Sequence, residues 1–195
     1  NLSFDLDDRN QKYQASEGFR SQYFLDLPVI SETATLQNTY VFKYYTDLFE
    51  NNVSTASIYL SSSTSLKDEN IKLSERIIIP SSRLRGFQSG KVGPKDGNDF
   101  IGGNYAGTIN FTSTIPQILE NSENMDFLVF FDVGNVWGVD YFDGDDEGSE
   151  IRSSTGVAVD WLTPIGPLNF TLAMPITKAD NDKTETFRFN LGTSF

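Results

Sequence analysis

Residues 105 to 116 read YAGTINFTSTIP, and this stretch decides the fold class of the 195-residue chain. Its large apolar residues and its small or polar residues fall on opposite parities: Tyr105, Ile109, Phe111 and Ile115 against Ala106, Thr108, Asn110, Thr112 and Thr114. Successive side chains of a strand point to opposite faces, so this alternation predicts a β-strand with one apolar face. Pro116 suits the end of such a strand, because proline has no amide hydrogen to donate to a neighbour.

The same alternation recurs on both sides of this stretch. We predict about nine strands, within residues 1–7, 19–27, 35–47, 53–63, 105–115, 127–133, 152–161, 168–174 and 187–195. Most of them approach the roughly 9 to 11 residues with which a tilted strand crosses a bilayer. The pattern therefore predicts an all-β fold of antiparallel strands.

The connections between the predicted strands are sorted by length. Short turns at Asn51 and Pro164 alternate with long loops near 64–103, 138–150 and 176–185. A soluble sandwich does not require short and long connections to alternate. A transmembrane barrel has short periplasmic turns at one rim and long extracellular loops at the other. We therefore expect residues 1–195 to form an antiparallel transmembrane β-barrel portion of about eight or nine strands.

The polar face of the predicted strands carries many charges: Asp5, Arg20, Asp26, Lys43, Asp132, Arg152, Asp160 and Arg188. Burying unpaired charges in a sandwich core is costly. In a water-filled lumen most of that cost disappears. The charges therefore favour a barrel over a soluble β protein.

The composition of the chain excludes several classes of protein and of functional site. With 38% apolar residues and a mean hydropathy of −0.33, no stretch approaches the ~18 apolar residues of a membrane helix, which excludes a helical membrane protein. The net charge of −12 disfavours a nucleic-acid partner. Without Cys or His the chain lacks most nucleophile–base pairs and zinc sites, so we expect no enzyme, no cofactor and no metal site. A surface enzyme built on carboxylates is the remaining alternative.

The segment from Ser81 to Asn104 reads SSRLRGFQSGKVGPKDGNDFIGGN, which is too rich in glycine and charge to be a strand. A connection of this size inside a compact β domain is generally functional or disordered. The order Arg85-Gly86-Phe87 and then Gly93-Pro94 favours a functional loop. The alternative is an ordinary loop with a solvated arginine and a glycine turn.

A second loop, Asp140 to Glu150, is strongly acidic and suggests calcium. It lacks the full spacing and the terminal Glu of an EF-hand loop, so a solvated loop is the favoured interpretation.

Several motifs resemble the Omp85 superfamily and follow that family's order along almost the whole chain. They are Leu84-Arg85-Gly86-Phe87-Gln88 with Val92-Gly93-Pro94, Gly102-Gly103-Asn104 before a strand, the run from Phe131 to Trp137, the run from Trp161 to Leu168, and the terminal strand from Phe187 to Phe195. The loop motif and the Asp-x-Gly-x-x-Trp strand are specific. The terminal aromatic residue is shared by most outer-membrane barrels.

The resemblance implies a barrel of roughly sixteen strands in the bacterial outer membrane, of which this chain is the C-terminal portion. The start at Asn1, without an initiator Met or a signal, likewise suggests a mature or excised fragment. The resemblance also implies that the loop folds into the lumen, where Arg85 meets acids on the wall. Asp132 matches one such acid, and Thr112 stands where the family often has a second, a Glu.

The implied function is the folding and insertion of β-barrel proteins, without cofactor or hydrolysis. The implied partners are outer-membrane lipid, unfolded outer-membrane proteins and accessory assembly lipoproteins. The last strand, with Phe187, Phe189, Leu191, Gly192 and Phe195, either faces lipid or also forms the seam with the first barrel strand. The alternatives are a related polypeptide secretion pore and a small structural or surface-binding barrel.

The number of strands in the barrel determines whether the long loop can enter the lumen. A closed barrel of about eight strands has room only for its own side chains, so in such a barrel Arg85 would not reach Asp132. We therefore expect the distance between these side chains to distinguish part of a large barrel from a small closed one.

Overall fold

A computed structural model of the chain describes residues 1–12, 15–28, 34–67, 69–116, 124–140, 150–164 and 166–191. The strands, in chain order, are β1 (Leu2–Arg9), β2 (Gly18–Asp26), β3 (Thr35–Thr46), β4 (Ser54–Ser65), β5 (Lys95–Asp96), β6 (Asp99–Phe100), β7 (Tyr105–Ile115), β8 (Met125–Trp137), β9 (Arg152–Thr163), β10 (Gly166–Thr177) and β11 (Phe187–Leu191). A 3-10 turn, Leu73–Glu75, lies between β4 and β5. Within the described residues no helix is long and apolar enough to cross a membrane.

Nine of these strands form one sheet in the order β1-β2-β3-β4-β7-β8-β9-β10-β11, with every neighbouring pair antiparallel. Apart from the small β5–β6 hairpin inside the long loop, each strand pairs with the next one in the chain. The predicted all-β antiparallel fold and its nine strands are confirmed. The sheet is open in the described residues, with β1 and β11 at its two edges.

Strand β8 is longer than the alternation alone predicts. Gly134 and Asn135 interrupt the apolar pattern, yet backbone pairing continues through them, from Gly134 to Arg152 of β9 and from Asn135 to Gly107 of β7. In β10 the register shifts between Pro175 and Thr177. Proline cannot donate to the ladder, so a bulge at this point is expected.

The two faces of the sheet differ as the alternation predicts. Large apolar side chains are exposed on the outer face, for example Ile109, Phe131 and Leu172, whose exposed fractions are 60%, 44% and 53%. The opposite face buries polar groups, among them Asp132 and Arg152. An apolar face turned outward and a polar face turned inward are the arrangement of a membrane barrel wall.

The apolar core lies between the long loop and the inner face of the sheet. Five buried loop residues pack against two wall residues and against the partly buried Tyr59 of β4: Ile77, Ile79, Leu84, Phe87 and Val92 against Ala106 and Val136. This packing places the connection between β4 and β7 against the wall, although its described residues have little regular structure of their own. Its size predicted a functional loop, and the packing gives it a fixed place on the wall.

Candidate functional site

Arg85 is held on the inner face of the sheet by one carboxylate. Its backbone N–H donates to Asp132 Oδ2 at 3.0 Å, its Nε donates to the same oxygen at 2.7 Å, and its Nη2 donates to Oδ1 at 2.7 Å. Asp132 is fully buried, and 17% of the Arg85 side chain is exposed. Because the planar guanidinium engages both carboxylate oxygens, the contact fixes orientation as well as distance.

The register of three neighbouring strands builds the receptor for Arg85. Asn110 of β7 stands opposite Asp132 of β8, and Asp132 stands opposite Ser154 of β9. Asn110 Nδ2 donates to Asp132 Oδ1 at 2.8 Å and to the carbonyl oxygen of Arg83 at 2.6 Å. Ser154 Oγ donates to the carbonyl oxygen of Arg85 at 2.5 Å. One row of wall residues thus binds both the side chain and the backbone of the loop.

A second row, two residues along the strands on the same face, covers the guanidinium. Thr112 stands opposite Phe130, and the guanidinium carbon of Arg85 lies 3.7 Å from the centre of the Phe130 ring. Arg85 Nη2 also donates to Thr112 Oγ1 at 3.2 Å. At the position where the resemblance led us to expect a second acid, this chain therefore offers a neutral acceptor, Thr112, and beside it an aromatic face, Phe130.

Gly86 lies where the loop comes closest to the wall. Its φ is +88°, and a Cβ built on it would lie 3.3 Å from the Cβ atoms of both Ser154 and Ala173. Left-handed backbone and a close wall both favour glycine. The next residue, Phe87, is only 1% exposed and packs in the loop core.

Gly93 and Pro94 make the second close approach. Gly93 has φ of +91°, and a Cβ there would lie 2.2 Å from Val136 Cγ1 and 3.0 Å from the Val136 carbonyl oxygen. Pro94 is fully buried, and its carbonyl oxygen accepts from the Ile101 N–H at 3.0 Å. Gly86 and Gly93 are therefore two positions where a side chain on the loop would press against the wall.

Arg83, two residues before Arg85, also faces the inner side of the wall. Its guanidinium carbon lies 4.2 Å from the centre of the Tyr59 ring. Burial lowers the pKa of Arg83, against the opposing influence of Tyr59. An arginine still keeps its charge under these conditions, so a second cation faces the inner wall here.

The loop motif also pairs with the connection between β10 and β11. The Glu185 N–H donates to the Gly86 carbonyl oxygen at 2.9 Å, the Gln88 N–H to the Lys183 oxygen at 2.9 Å, and the Lys183 N–H to the Lys91 oxygen at 3.0 Å. Phe87 and Thr184 form an antiparallel bridge between these bonds. The two segments therefore run side by side as a short ladder.

A second buried ion pair fixes that connection to the wall. Arg152 Nε and Nη2 donate to the two carboxylate oxygens of Asp182 at 2.9 and 3.1 Å, and both side chains are fully buried. Arg152 Nη1 donates to Asn135 Oδ1 at 2.6 Å. The Ala179 N–H donates to Asp182 at 2.8 Å.

Sequence reasoning placed Arg85, Gly86, Phe87, Gly93, Pro94 and Asp132 in one unit, and the structure brings them together on the inner wall. The sequence did not point to Asn110, Ser154 or Phe130 as site residues, and it did not predict the pairing of Arg152 with Asp182. Strand parity does predict the inward face of these wall residues. Their neighbours across strands depend on the register, for which no local pattern exists.

The remaining predicted positions divide into two groups. Phe187, Phe189 and Leu191 lie on the outer face of β11, about half exposed, whereas Gly192 and Phe195 lie outside the described residues. Of the acidic loop, Asp140 accepts hydrogen bonds from the Ile71 N–H and from Asn104 Nδ2. The acids between 141 and 149, on which the calcium interpretation depended, lie outside the described residues.

The Omp85 superfamily domain matches residues 1–195. The chain belongs to the Omp85 superfamily. This membership confirms the resemblance in the motifs and the predicted location in the bacterial outer membrane.

Proteins similar to this Omp85 chain include outer membrane protein assembly factor BamA of Neisseria meningitidis serogroup B, 30% identical over 139 residues, which cover 57% of this chain and 17% of that protein. BamA of Neorickettsia risticii is 28% identical over 117 residues, covering 58% of this chain and 16% of that protein. The chain thus spans less than a fifth of the length of these relatives.

The fold is similar to the crystal structure of BamA from Haemophilus ducreyi lacking POTRA domains 1–3. The TM-score is 0.82 at 26% sequence identity, and the match covers 96% of this chain and 40% of that structure. The nine-stranded sheet of this Omp85 chain is therefore similar to part of a larger BamA barrel.

Proposed function

We propose that this chain is the C-terminal barrel portion of an outer-membrane protein assembly factor, which folds and inserts β-barrel proteins. The observation that carries the proposal is the loop motif docked on the inner wall, with Arg85 bound to both oxygens of the fully buried Asp132. An ordinary surface loop has no need of such an anchor. Similarity to proteins named as outer membrane protein assembly factors supports this function.

The proposed mechanism uses a strand edge rather than a chemical step. Strand β11 pairs with β10, and its other edge has no partner among the described residues. An exposed edge is a template onto which an incoming strand can add by backbone hydrogen bonds. The outer face of β11 presents Phe187, Phe189 and Leu191 towards lipid. An unfolded outer-membrane protein would pair there while it enters the membrane.

On this proposal the partners are outer-membrane lipid, unfolded outer-membrane proteins and accessory assembly lipoproteins. Mechanism and partners belong to the whole protein, of which the chain is a part. The docked loop packs on the inner side of the wall, so the outer side and the β11 edge are left for these partners.

The test is a complementation experiment in cells of the source bacterium. The whole protein is depleted while a second copy carries Arg85→Ala, and the amounts of folded outer-membrane porins are measured. We expect porin levels to fall severalfold, because the loop loses its anchor. Arg20→Ala is the matched control, since Arg20 also faces inward and binds a carboxylate, Asp5, but lies far along the sheet from the loop.

Normal porin levels with Arg85→Ala, or after depletion itself, would contradict the proposal. If porins stay normal while a secreted polypeptide accumulates inside the cell, the secretion pore is favoured instead. A small structural barrel predicts no change in either measurement.

A further inference from the structure

The connection 178–186, between β10 and β11, touches three parts of the molecule at once. It pairs with the loop motif through the ladder at Gly86, Gln88 and Lys91. It is fixed to β9 by the buried pair of Arg152 and Asp182. It also leads directly into β11, and the Ala173 N–H of β10 donates to the Thr186 carbonyl oxygen at 2.8 Å.

Strand β11 has its own bond to the loop motif. Arg188 Nη2 donates to the Phe87 carbonyl oxygen at 3.0 Å, and Arg188 Nε donates to Glu185 at 2.8 Å. The Arg188 side chain is only 16% exposed. The β11 residue Arg188 and the loop residue Phe87 are far apart in sequence, and this bond is charge-assisted, the stronger class of hydrogen bond.

These contacts matter because, within the described residues, β11 pairs with β10 alone, from Phe187 to Leu191. A strand that pairs on one side opens more readily than a central strand. The contacts that the loop motif and residues 178–186 make with β11 therefore influence how often its first residues leave the sheet.

We propose that residues 178–186 are a clasp that couples the docked loop to the last strand, with Asp182 and Arg188 as positioning residues. Docking of Arg85 on Asp132 orders the loop backbone from Gly86 to Lys91. That backbone holds the clasp, and together they hold the first residues of β11 against the wall. When Arg85 leaves Asp132, the grip on β11 weakens.

The coupling itself is structural, and its consequence for barrel assembly rests on the proposed function. An edge that templates incoming strands must open and close, so the loop would set how available that edge is. Asp182 and Arg188 contact no substrate in this proposal. They act through the position of β11.

The test is amide hydrogen exchange on the whole protein in detergent micelles, followed in residues 86–91 and 187–191. We expect Arg85→Ala to raise exchange in both segments, by about tenfold in β11, because one charge-assisted anchor is lost. Arg188→Met keeps the length of the side chain and should raise exchange in β11 while Arg85 stays docked. Arg20→Ala should change neither segment.

Two results would overturn the coupling. One is increased exchange in residues 86–91 of Arg85→Ala with unchanged exchange in β11. The other is an Arg188→Met protein in which β11 exchanges at the native rate. Protection of β7 to β9 serves as the folding control. A third variant, Asp182→Asn, should raise exchange in 178–191, and an unchanged rate there would also count against the clasp.

The same variants separate this proposal from the proposed function. If exchange in β11 rises and porin levels stay normal, the clasp stands and the proposed function fails. If porin levels fall with Arg85→Ala and β11 exchange is unchanged, the proposed function stands and the clasp fails.

Discussion

At the scale of single residues, the site depends on how a guanidinium is held by a buried carboxylate. Asp132 is fully buried, and its charge is stabilised by three hydrogen bonds from Arg85 and one from Asn110. Removing one partner of such a pair costs more than the pair contributes, because the other charge stays buried. The pair therefore fixes the position and orientation of the loop at Arg85.

We predict that Asp132→Asn destabilises the protein by roughly 3 kcal/mol, because the guanidinium of Arg85 loses its counter-charge. Urea unfolding of the whole protein in micelles measures the change. Asp5→Asn is the matched control, since Asp5 binds Arg20 through both oxygens in the same wall but at an exposed position, where an ion pair contributes little. Equal effects of the two substitutions would show that burial of Asp132 is unimportant.

At the scale of elements, the strands could be predicted and the loop contacts could not. Alternation is a local signal, so Tyr105 to Ile115 was predicted at its observed bounds. The prediction for β8 was too short at both ends, and at its C-terminal end Gly134 and Asn135 break the pattern. The pairing of Gln88 with Lys183 joins segments far apart in sequence. This pairing depends on how two loops meet in space, and neither segment has an alternating pattern that would predict it. The Arg85–Asp132 contact was expected only from resemblance.

The loop as an element is limited by its two glycines at the wall. We predict that Gly93→Ala prevents the loop from docking, because the added methyl would overlap Val136, and overpacking of this kind costs about 1 to 3 kcal/mol beyond the backbone strain. Trypsin cleavage at Lys91 and Lys95 in the folded protein measures the exposure of the loop.

Gly97→Ala is the control for this prediction. Gly97 also has a positive φ, +58°, but a Cβ there would meet nothing within 4 Å. It carries the backbone strain without the overlap, so its loop should stay protected. Equal cleavage of the two variants would contradict the close approach at Val136.

At the scale of the whole molecule, one sheet separates two environments. Its outer face exposes residues such as Ile109 and Leu172 to lipid, and its inner face buries Asp132 and Arg152 under the loop and the clasp. Arg85 reaches Asp132 at 2.7 Å, which a closed barrel of about eight strands, filled by its own side chains, would not allow. The geometry thus suits part of a larger barrel with the loop inside.

The most direct test of the account is insertion in vitro. The purified whole protein is placed in phospholipid vesicles without nucleotide or added metal, an unfolded porin is supplied, and the rate at which the porin folds is measured. We predict faster folding than in empty vesicles, and loss of that acceleration with Arg85→Ala but not with Arg20→Ala. Equal folding rates in empty vesicles and in vesicles that contain the native protein would contradict the account.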